Sequence, residues 1–227
     1  MSISTVRSAV HVFPIGKHVP LDEFDHIIHD AELMASEAHY EKDVEIFGEG
    51  GPADHVYQVL GGAVRSYKLL ADGRCQITAF HLPGDVFGMD CGATRRMTAD
   101  AIVDTTIRVV RRRSLEQAAA TELSIGCSLR TMASRSLAHA EEHLLLLGRK
   151  TAVERVAAFL LEMDRRLSGT GMVPLPMCRR DIGDYLGLTL ETVSRALSQF
   201  HAQGILDFSG ARHIVLRNRA LLRNMDI

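Results

Sequence analysis

A stretch near the C-terminus, residues 177–200, has the pattern of two short helices joined by a tight turn. Ile182 and Leu186 stand four residues apart on the first helix, and Gly187 supplies the turn. Thr189 is placed to cap the second helix. The apolar side of that second helix consists of Val193, Ala196, Leu197 and Phe200. The spacing therefore predicts a helix-turn-helix with an amphipathic second helix.

The opposite side of the second helix carries side chains that project together away from the core. They are Leu190, Glu191, Ser194, Arg195 and Ser198. Such a face fits a DNA major groove, because arginine can bind guanine O6 and N7 with two donors and glutamate can accept from cytosine N4. The alternative is a solvated face on an ordinary helix pair. Two apolar runs around a Ser209-Gly210 turn predict a β-hairpin wing and favour DNA binding.

The composition describes a globular chain without a membrane segment. Hydrophobic residues make up 46% of the 227 residues, and no apolar run approaches the roughly 18 residues of a membrane helix. The N-terminus lacks the plan of a signal peptide, which predicts a cytoplasmic protein. The four cysteines, at positions 75, 91, 127 and 178, form no C-x-x-C pair, so neither a disulfide framework nor a zinc site is expected.

The charges are divided unevenly along the chain. Residues 1–148 hold 14 Lys and Arg against 20 Asp and Glu, whereas residues 149–227 hold 12 against 8. The part with the predicted helix-turn-helix is therefore the basic part. A modest basic bias supports nucleic-acid binding as a second observation beside the motif.

The pattern predicts an α+β fold in three parts. Residues 1–113 should hold an N-terminal extension, unstructured or lightly docked to about residue 20, a short helix within 22–38, and a closed antiparallel β-roll or jelly roll. The β-prone runs are 44–47, 56–60, 63–70, 75–80, 101–103 and 105–110. Residues 114–148 predict one long helix with Gly126 as its weak point. Residues 149–227 predict a supporting helix, a proline-containing loop before the motif, and the winged helix-turn-helix.

The predicted long helix carries a stripe of residues seven apart, Met132, His139 and Leu146. Polar neighbours flank this line, so it has the form of a half-polar coiled-coil seam. Such a stripe usually indicates a partner helix, and these three residues are the predicted dimer interface.

Residues 180–195 resemble the helix-turn-helix signature of the CRP/FNR family of bacterial transcription regulators, and Glu191-Thr-Val-Ser-Arg195 matches its FNR and FixK branches. Residues 61–65, 71–73 and 80–88 are similar to the landmarks of the family's cyclic-nucleotide-binding-domain-like β-roll. The resemblance implies a homodimer paired through the long helix, recognition of TTGA…TCAA palindromes in double-stranded DNA, and recruitment of RNA polymerase. Its DNA-contacting set is Arg179, Arg180, Thr189, Leu190, Glu191, Thr192, Ser194 and Arg195.

The ligand patterns of the family's branches are incomplete here. The cyclic-nucleotide branch has Gly-Glu-Leu and then Arg-Ser/Thr-Ala, whereas this chain reads Gly88-Met89-Asp90 and, further on, residues 95–100 as RRMTAD. The iron–sulfur branch needs N-terminal cysteines, and none precedes Cys75. A haem would depend on Cys75 and His81. The resemblance is therefore closest to the FixK group, which implies no bound cofactor and a programme of low-oxygen or nitrogen-related metabolism. A regulator gated by a cyclic nucleotide or haem is the alternative.

Two further interpretations concern chemistry. Cys178 precedes Arg179 and Arg180 at the start of the first motif helix, where a helix N-terminus and guanidinium groups favour a thiolate, so it is a candidate redox-sensitive thiol. The alternative for Cys178 is a small buried apolar residue. An enzyme is not expected, because no cupin-like histidine pattern, nucleophile elbow or phosphate loop occurs.

Overall fold

The computed structural model describes residues 22–167, 169–210 and 212–225, so the prediction for residues 1–20 lies outside the described residues. The helices are α1 (Asp22–Asp30), α2 (Arg112–Thr121), α3 (Leu123–Arg149), α4 (Ala152–Leu167), α5 (Arg179–Leu186), α6 (Leu190–Ala202) and α7 (Arg219–Met225). The strands are β1 (Ala35–Tyr40), β2 (Glu45–Phe47), β3 (His55–Gly61), β4 (Val64–Leu69), β5 (Cys75–His81), β6 (Val86–Phe87), β7 (Thr98–Ala101), β8 (Thr105–Arg111), β9 (Met172–Pro174), β10 (Leu206–Phe208) and β11 (His213–Leu216).

Strands β1 to β8 form two four-stranded antiparallel sheets, ordered β1-β8-β3-β6 and β2-β7-β4-β5. Both sheets contribute to one core, in which Val59, Val64 and Ile107 are fully buried. The core forms because alternate residues of each strand point to the same side of its sheet. The predicted antiparallel β-roll, and with it the α+β fold class, is confirmed.

The short helix expected within 22–38 is present as α1, whereas strand β1 was not predicted and two other local predictions need correction. The helix expected within 22–38 ends at Asp30, and β1 follows it as a partner of β8. Most of β1 is exposed, so it lacks the apolar alternation that identifies a strand. Of the run expected at 101–103, only Ala101 is in a strand, as the last residue of β7, and residues 102 and 103 lie in the bend that follows. The proline-containing loop before the motif includes β9, which pairs with β11 as the third strand of the wing.

The predicted single long helix is two helices in the structure. Glu122 has an extended backbone, with φ −122° and ψ 113°, and separates α2 from α3. The break allows Leu115 of α2 and Ile125 of α3 to enter the same apolar cluster beneath α1. Gly126, the expected weak point, lies within α3.

The stripe predicted as a dimer interface packs against its own chain in the structure, with Leu146 buried and Met132 and His139 half-buried. Leu146 is 9% exposed and belongs to the core shared with α4. His139 Nε2 lies 2.9 Å from the carboxylate of Glu162 on α4, and Met132 packs on the cluster beneath α1. Within this chain, the β-roll and α4 pack on the predicted stripe, and its role between two copies stays a prediction.

A second stripe on α3 is left open instead. Leu123, Leu137 and Leu144 are 83%, 61% and 70% exposed. They recur at intervals of fourteen and seven residues and therefore lie on one side of the helix. We call these three residues the outer stripe of α3.

The C-terminal part consists of α4 and the segment from β9 to α7. We call this whole part, including α4, the reading head. Its core is continuous with one face of the β-roll, since Phe80 of β5 lies 5.0 Å from the ring of Tyr185 on α5 and 6.3 Å from Phe159 on α4. Among the described residues, no helix has the length and hydropathy to cross a bilayer, and no three His, Cys, Asp or Glu side chains are grouped to hold a metal ion.

Candidate nucleic-acid interface

The helix-turn-helix has the local geometry that its sequence predicts. Helix α5 ends at Gly187, whose φ of 63° is left-handed and favours glycine. The Thr189 hydroxyl accepts a hydrogen bond from the backbone N–H of Thr192 at 3.2 Å and caps α6. The turn between the two helices is therefore set by the residues that occupy it.

Gly183 allows the turn to come close to α5. A Cβ atom at this position would lie 2.7 Å from the carbonyl oxygen of Leu188, whose N–H donates to Gly183 O at 2.9 Å. Because the clash would be with backbone, the angle between α5 and α6 would have to change. Sequence reasoning did not single out Gly183, since the need for a missing side chain arises only when the two helices meet.

We expect Gly183→Ala to lower the free energy of unfolding by about 1–3 kcal/mol, because overpacking against backbone cannot be relieved by a rotamer change. Urea or thermal unfolding of the full chain measures this. Gly61→Ala is the matched control, since a Cβ atom at Gly61 would meet no other atom within 4 Å and the φ of Gly61 is outside the left-handed region that favours glycine. Equal stability of the two variants would contradict the close approach.

The two sides of α6 divide as predicted. Val193, Ala196, Leu197 and Phe200 are all buried. On the other side, Leu190, Glu191, Arg195 and Ser198 are exposed, whereas Thr192 and Ser194 are half-buried. The face that the sequence assigned to a major groove is thus accessible along α6.

The polar side of α6 is electrostatically mixed. Hydrogen bonds from its own backbone N–H and with Thr189 hold the pKa of Glu191 below its usual value, and the guanidinium groups of Arg195 and Arg180 act in the same direction. Glu191 is therefore an ionised acceptor at neutral pH. Its neighbours Arg195 and Arg180 supply donors, so the surface offers both kinds of group that base edges require.

Arg179 and Arg180 are exposed at the start of α5, beside α6. Arg179 Nη1 lies 3.4 Å from Ser194 Oγ, a long hydrogen bond, and its guanidinium lies over the ring of Phe208 in the wing. The structure thus brings α5, α6 and the wing together around Arg179. Exposed guanidinium groups at the edge of a reading helix suit phosphate oxygens.

Cys178 is exposed at the N-cap of α5, which excludes the buried-residue alternative. Its backbone N–H donates to Asp181 Oδ2 at 2.8 Å. Cys178 is also next to Arg179, so a charge added to its sulfur would lie at the edge of the candidate DNA surface.

Of the two arginines in residues 95–100, Arg95 is engaged by the β-roll itself, whereas Arg96 is exposed. Arg96 and Thr98 could imitate the cyclic-nucleotide cassette only with altered spacing. Arg95 is 2% exposed and donates to the carbonyl oxygens of Gly88 and His55, at 2.8 Å and 2.6 Å. It also pairs with Asp90 at 3.0 Å. A buried guanidinium held by these three oxygens is not available to a cyclic phosphate.

The haem alternative does not fit the geometry of β5. Cys75 and His81 are at opposite ends of this strand, and six residue-to-residue steps separate them by roughly 20 Å. His81 lies 2.8 Å from the hydroxyl of Ser66 and stacks on Phe87 at 4.8 Å. Burial lowers the pKa of His81 to about 4, so the ring is neutral and acts as a packing residue.

A cavity of about 510 Å³ lies between the β-roll, α1, α3 and α4. Cationic groups in its lining include Arg135, which pairs with Glu23, and Arg166, which pairs with Glu162. The cavity is therefore large enough for a small molecule, and its guanidinium groups already have carboxylate partners.

The sequence interpretation missed the residues that hold the reading head. They are Arg65, Gln76, His143 and Arg155, and each contacts α5 from another element. Arg65 and Asp181 are separated by 116 residues, so no local pattern could have paired them.

The two halves of the chain match two family models. Residues 154–225 match the Crp-like helix-turn-helix domain, and residues 37–122 match the cyclic nucleotide-binding domain. These bounds agree with the reading head and with the β-roll.

Full-length relatives support the same grouping. The chain is 41% identical to the nitrogen fixation regulation protein FixK of Azorhizobium caulinodans, over 93% of this chain and 88% of that protein. It is 40% identical to FixK of Rhizobium meliloti, over 83% of this chain and 86% of the relative. The structure of FixK2 from Bradyrhizobium japonicum is 66% identical with a TM-score of 0.84, over 86% of this chain and 98% of that one.

Proposed function

The chain belongs to the CRP/FNR family as a FixK-like DNA-binding transcription regulator, and we propose that it is a homodimeric activator of TTGA…TCAA-type palindromes. It acts in the cytoplasm, recruits RNA polymerase and serves low-oxygen or nitrogen-related metabolism. The nitrogen part rests on relatives that are named for nitrogen fixation regulation. The three predicted parts, 1–113, 114–148 and 149–227, act as a sensor-like, a dimerising and a DNA-binding unit.

The observation that carries the proposal is the accessible face of α6. Glu191 and Arg195 are exposed one helical turn apart on α6, close enough for the positive charge of Arg195 to lower the pKa of Glu191. Ser194 precedes Arg195 on the same side of the helix. A TTGA half-site contains one G·C pair, in which Arg195 can bind the guanine and Glu191 can accept from N4 of the cytosine. Thr189, Leu190, Thr192, Arg179 and Arg180 complete the proposed DNA surface.

The dimer contact of the proposal is the outer stripe of α3. Leu123, Leu137 and Leu144 are exposed and lie at coiled-coil spacing. A second copy of this chain is the fitting occupant, because a two-fold pair of reading heads matches a palindrome with half-sites about one DNA turn, ~34 Å, apart.

Binding-site selection from random duplex DNA tests the function. We expect the purified full chain to enrich a TTGA…TCAA palindrome and to bind it more tightly than a scrambled duplex of equal length at one fixed salt concentration. Enrichment of an unrelated site, or equal binding to both duplexes, would contradict the proposed target.

A second candidate is a regulator gated by a small ligand, and the cavity beside α3 favours it. The cofactor-free proposal is supported by the engagement of Arg95 with the β-roll and by the separation of Cys75 from His81. Absorbance and metal analysis of the purified protein separate the two. A haem Soret band or stoichiometric iron would overturn the cofactor-free proposal, and so would cyclic AMP that is required for operator binding.

Cys178 makes the proposed activity sensitive to oxidation. Hydrogen peroxide transfers one oxygen atom to the thiol at each step, giving sulfenic and then sulfinic acid, and is itself reduced to water. A sulfinate would place a negative charge beside DNA phosphates. We expect peroxide to abolish operator binding by the native chain while it stays folded and dimeric.

Two substitutions test this prediction. Cys178→Ser should keep operator binding after peroxide, and Cys178→Asp should lose about 1 kcal/mol per half-site without any oxidant. Cys91→Ser is the matched control, because Cys91 is also exposed but lies between β6 and β7 of the β-roll. If peroxide inactivates Cys178→Ser as fast as the native chain, this thiol is not the site of oxidation.

A further inference from the structure

Helix α5 of the reading head is held at its N-terminal end by the β-roll. Arg65 of β4 donates to Asp181 Oδ1 at 2.6 Å and to Asp100 Oδ2 at 3.1 Å. The other oxygen of Asp181 accepts the backbone N–H of Cys178. One carboxylate therefore joins the guanidinium of the β-roll to Cys178, the N-cap of α5.

Arg65 and its two carboxylate partners, Asp181 and Asp100, are well shielded from water. Asp181 is 5% exposed and Asp100 is 7% exposed, and Arg65 is itself largely covered. Buried ion pairs of this kind are weak evidence for stability, but removing one partner leaves an uncompensated charge. Without Arg65, two buried carboxylates would face each other across the boundary between the β-roll and the reading head.

The C-terminal end of α5 is held by its backbone carbonyl groups. Gln76 of β5 donates to Asp184 O at 2.8 Å, and His143 of α3 donates to Tyr185 O at 2.9 Å. Arg155 of α4 donates to Leu186 O at 2.9 Å and to Leu147 O, at the end of α3, at 2.8 Å. These carbonyl groups have no partner within an α-helix, so donors from other elements satisfy them.

We propose that Arg65 is a positioning residue for DNA reading. Together with Gln76 it clamps α5 to the β-roll and thereby fixes the orientation of the reading head relative to the β-roll. The proposal rests on the proposed function, since it assumes that the chain reads a palindrome. The clamp lies entirely within one chain and needs no ligand. The clamp therefore keeps the reading head in an orientation that can bind DNA in the absence of any effector.

The clamp holds the reading head without covering its DNA face. Gln76 and Arg65 contact α5, whereas Arg195 and Glu191 of α6 remain exposed. Arg179 and Arg180 are also exposed, although the residue after them is Asp181. Because the clamp leaves these DNA-facing side chains exposed, it supports DNA binding and does not block it. Weakening the clamp should therefore lower operator affinity.

Operator binding by Arg65→Met full-length protein is the main test. Met keeps an unbranched apolar stem and removes the charge. We expect affinity for the palindrome to fall by about tenfold or more, while binding to random DNA and the dimer stay unchanged. We also expect the preference for native half-site separation over a spacer lengthened by one base pair to shrink, which a loss of stability alone would not cause. Arg65→Lys should recover part of the affinity.

Two further variants make the outcome decisive. Gln76→Ala breaks the clamp without touching a buried charge, so it decides the matter if Arg65→Met does not fold. Lys68→Met is the matched control, because Lys68 lies on the same strand and pairs with Glu49 of the β-roll at 2.7 Å. Folding is checked by thermal unfolding.

The possible failures are distinguishable. If the native chain does not prefer the palindrome, the proposed function fails. If the native chain prefers it and both clamp variants keep native affinity and spacing preference, the clamp proposal fails alone. Tighter binding by either clamp variant would mean that the contact is inhibitory, which also overturns the proposal.

Discussion

Arg195→Ala should lose about 1–3 kcal/mol of binding free energy on each cognate half-site, because a bidentate contact to guanine disappears. Arg195 is exposed on α6, and its charge lies near that of Glu191. Since a dimer carries two copies, operator affinity should fall by the square of the effect on one half-site. The loss should be confined to the guanine that Arg195 contacts, so duplexes altered at that base pair should lose less.

Binding to random DNA distinguishes base reading from phosphate contact in this experiment. If Arg195→Ala weakens the operator and random duplexes alike, Arg195 contacts phosphate and the assignment is wrong. Arg223→Ala is the matched control, because it also removes an exposed arginine side chain, but from α7 and not from α6. Titrations at several salt concentrations complete the comparison, since a lost phosphate contact lowers the salt dependence.

Leu144→Glu should dissociate the proposed dimer. Leu144 is 70% exposed in the single chain, so the substitution leaves the monomer's core intact. Burying a leucine is worth about 1.5–3 kcal/mol, and the two-fold removes two of them and brings two carboxylates together. The dimer should therefore weaken by roughly 3–6 kcal/mol, or about 10²–10⁴-fold.

Sedimentation and operator binding should change together in this variant. Leu69→Glu is the matched control, because Leu69 is 62% exposed on the β-roll, away from α3. An unchanged dimer in Leu144→Glu would place the interface elsewhere. Leu146→Glu, in contrast, should destabilise the fold itself, since Leu146 packs in the core beside α4.

Several parts of this protein are visible in local sequence patterns. The turn at Gly187, the cap at Thr189 and the buried side of α6 depend on residues within a few positions of one another. The β-roll strands that are buried on alternate residues were predicted for the same reason. The exposed edge strand β1 was not predicted, because half-exposed residues lack that alternation.

The orientation of α3 is a feature that periodicity cannot decide. Its sequence contains two stripes at coiled-coil spacing, one through Met132, His139 and Leu146 and one through Leu123, Leu137 and Leu144. Both are compatible with a partner helix. Only the docking of the β-roll and α4 on α3 shows that the first stripe is covered within the chain and the second is not.

The sequence alone was sufficient for the family, the helix-turn-helix and the division of α6 into a buried and an accessible side, because those depend on contacts between neighbours in the chain and on side-chain chemistry. Tertiary structure alone decided which face of α3 is free, that Arg95 is engaged by the β-roll, and that Arg65 reaches Asp181. These contacts join residues up to 116 positions apart. They depend on how whole elements pack, and packing geometry is not written in any short window of sequence.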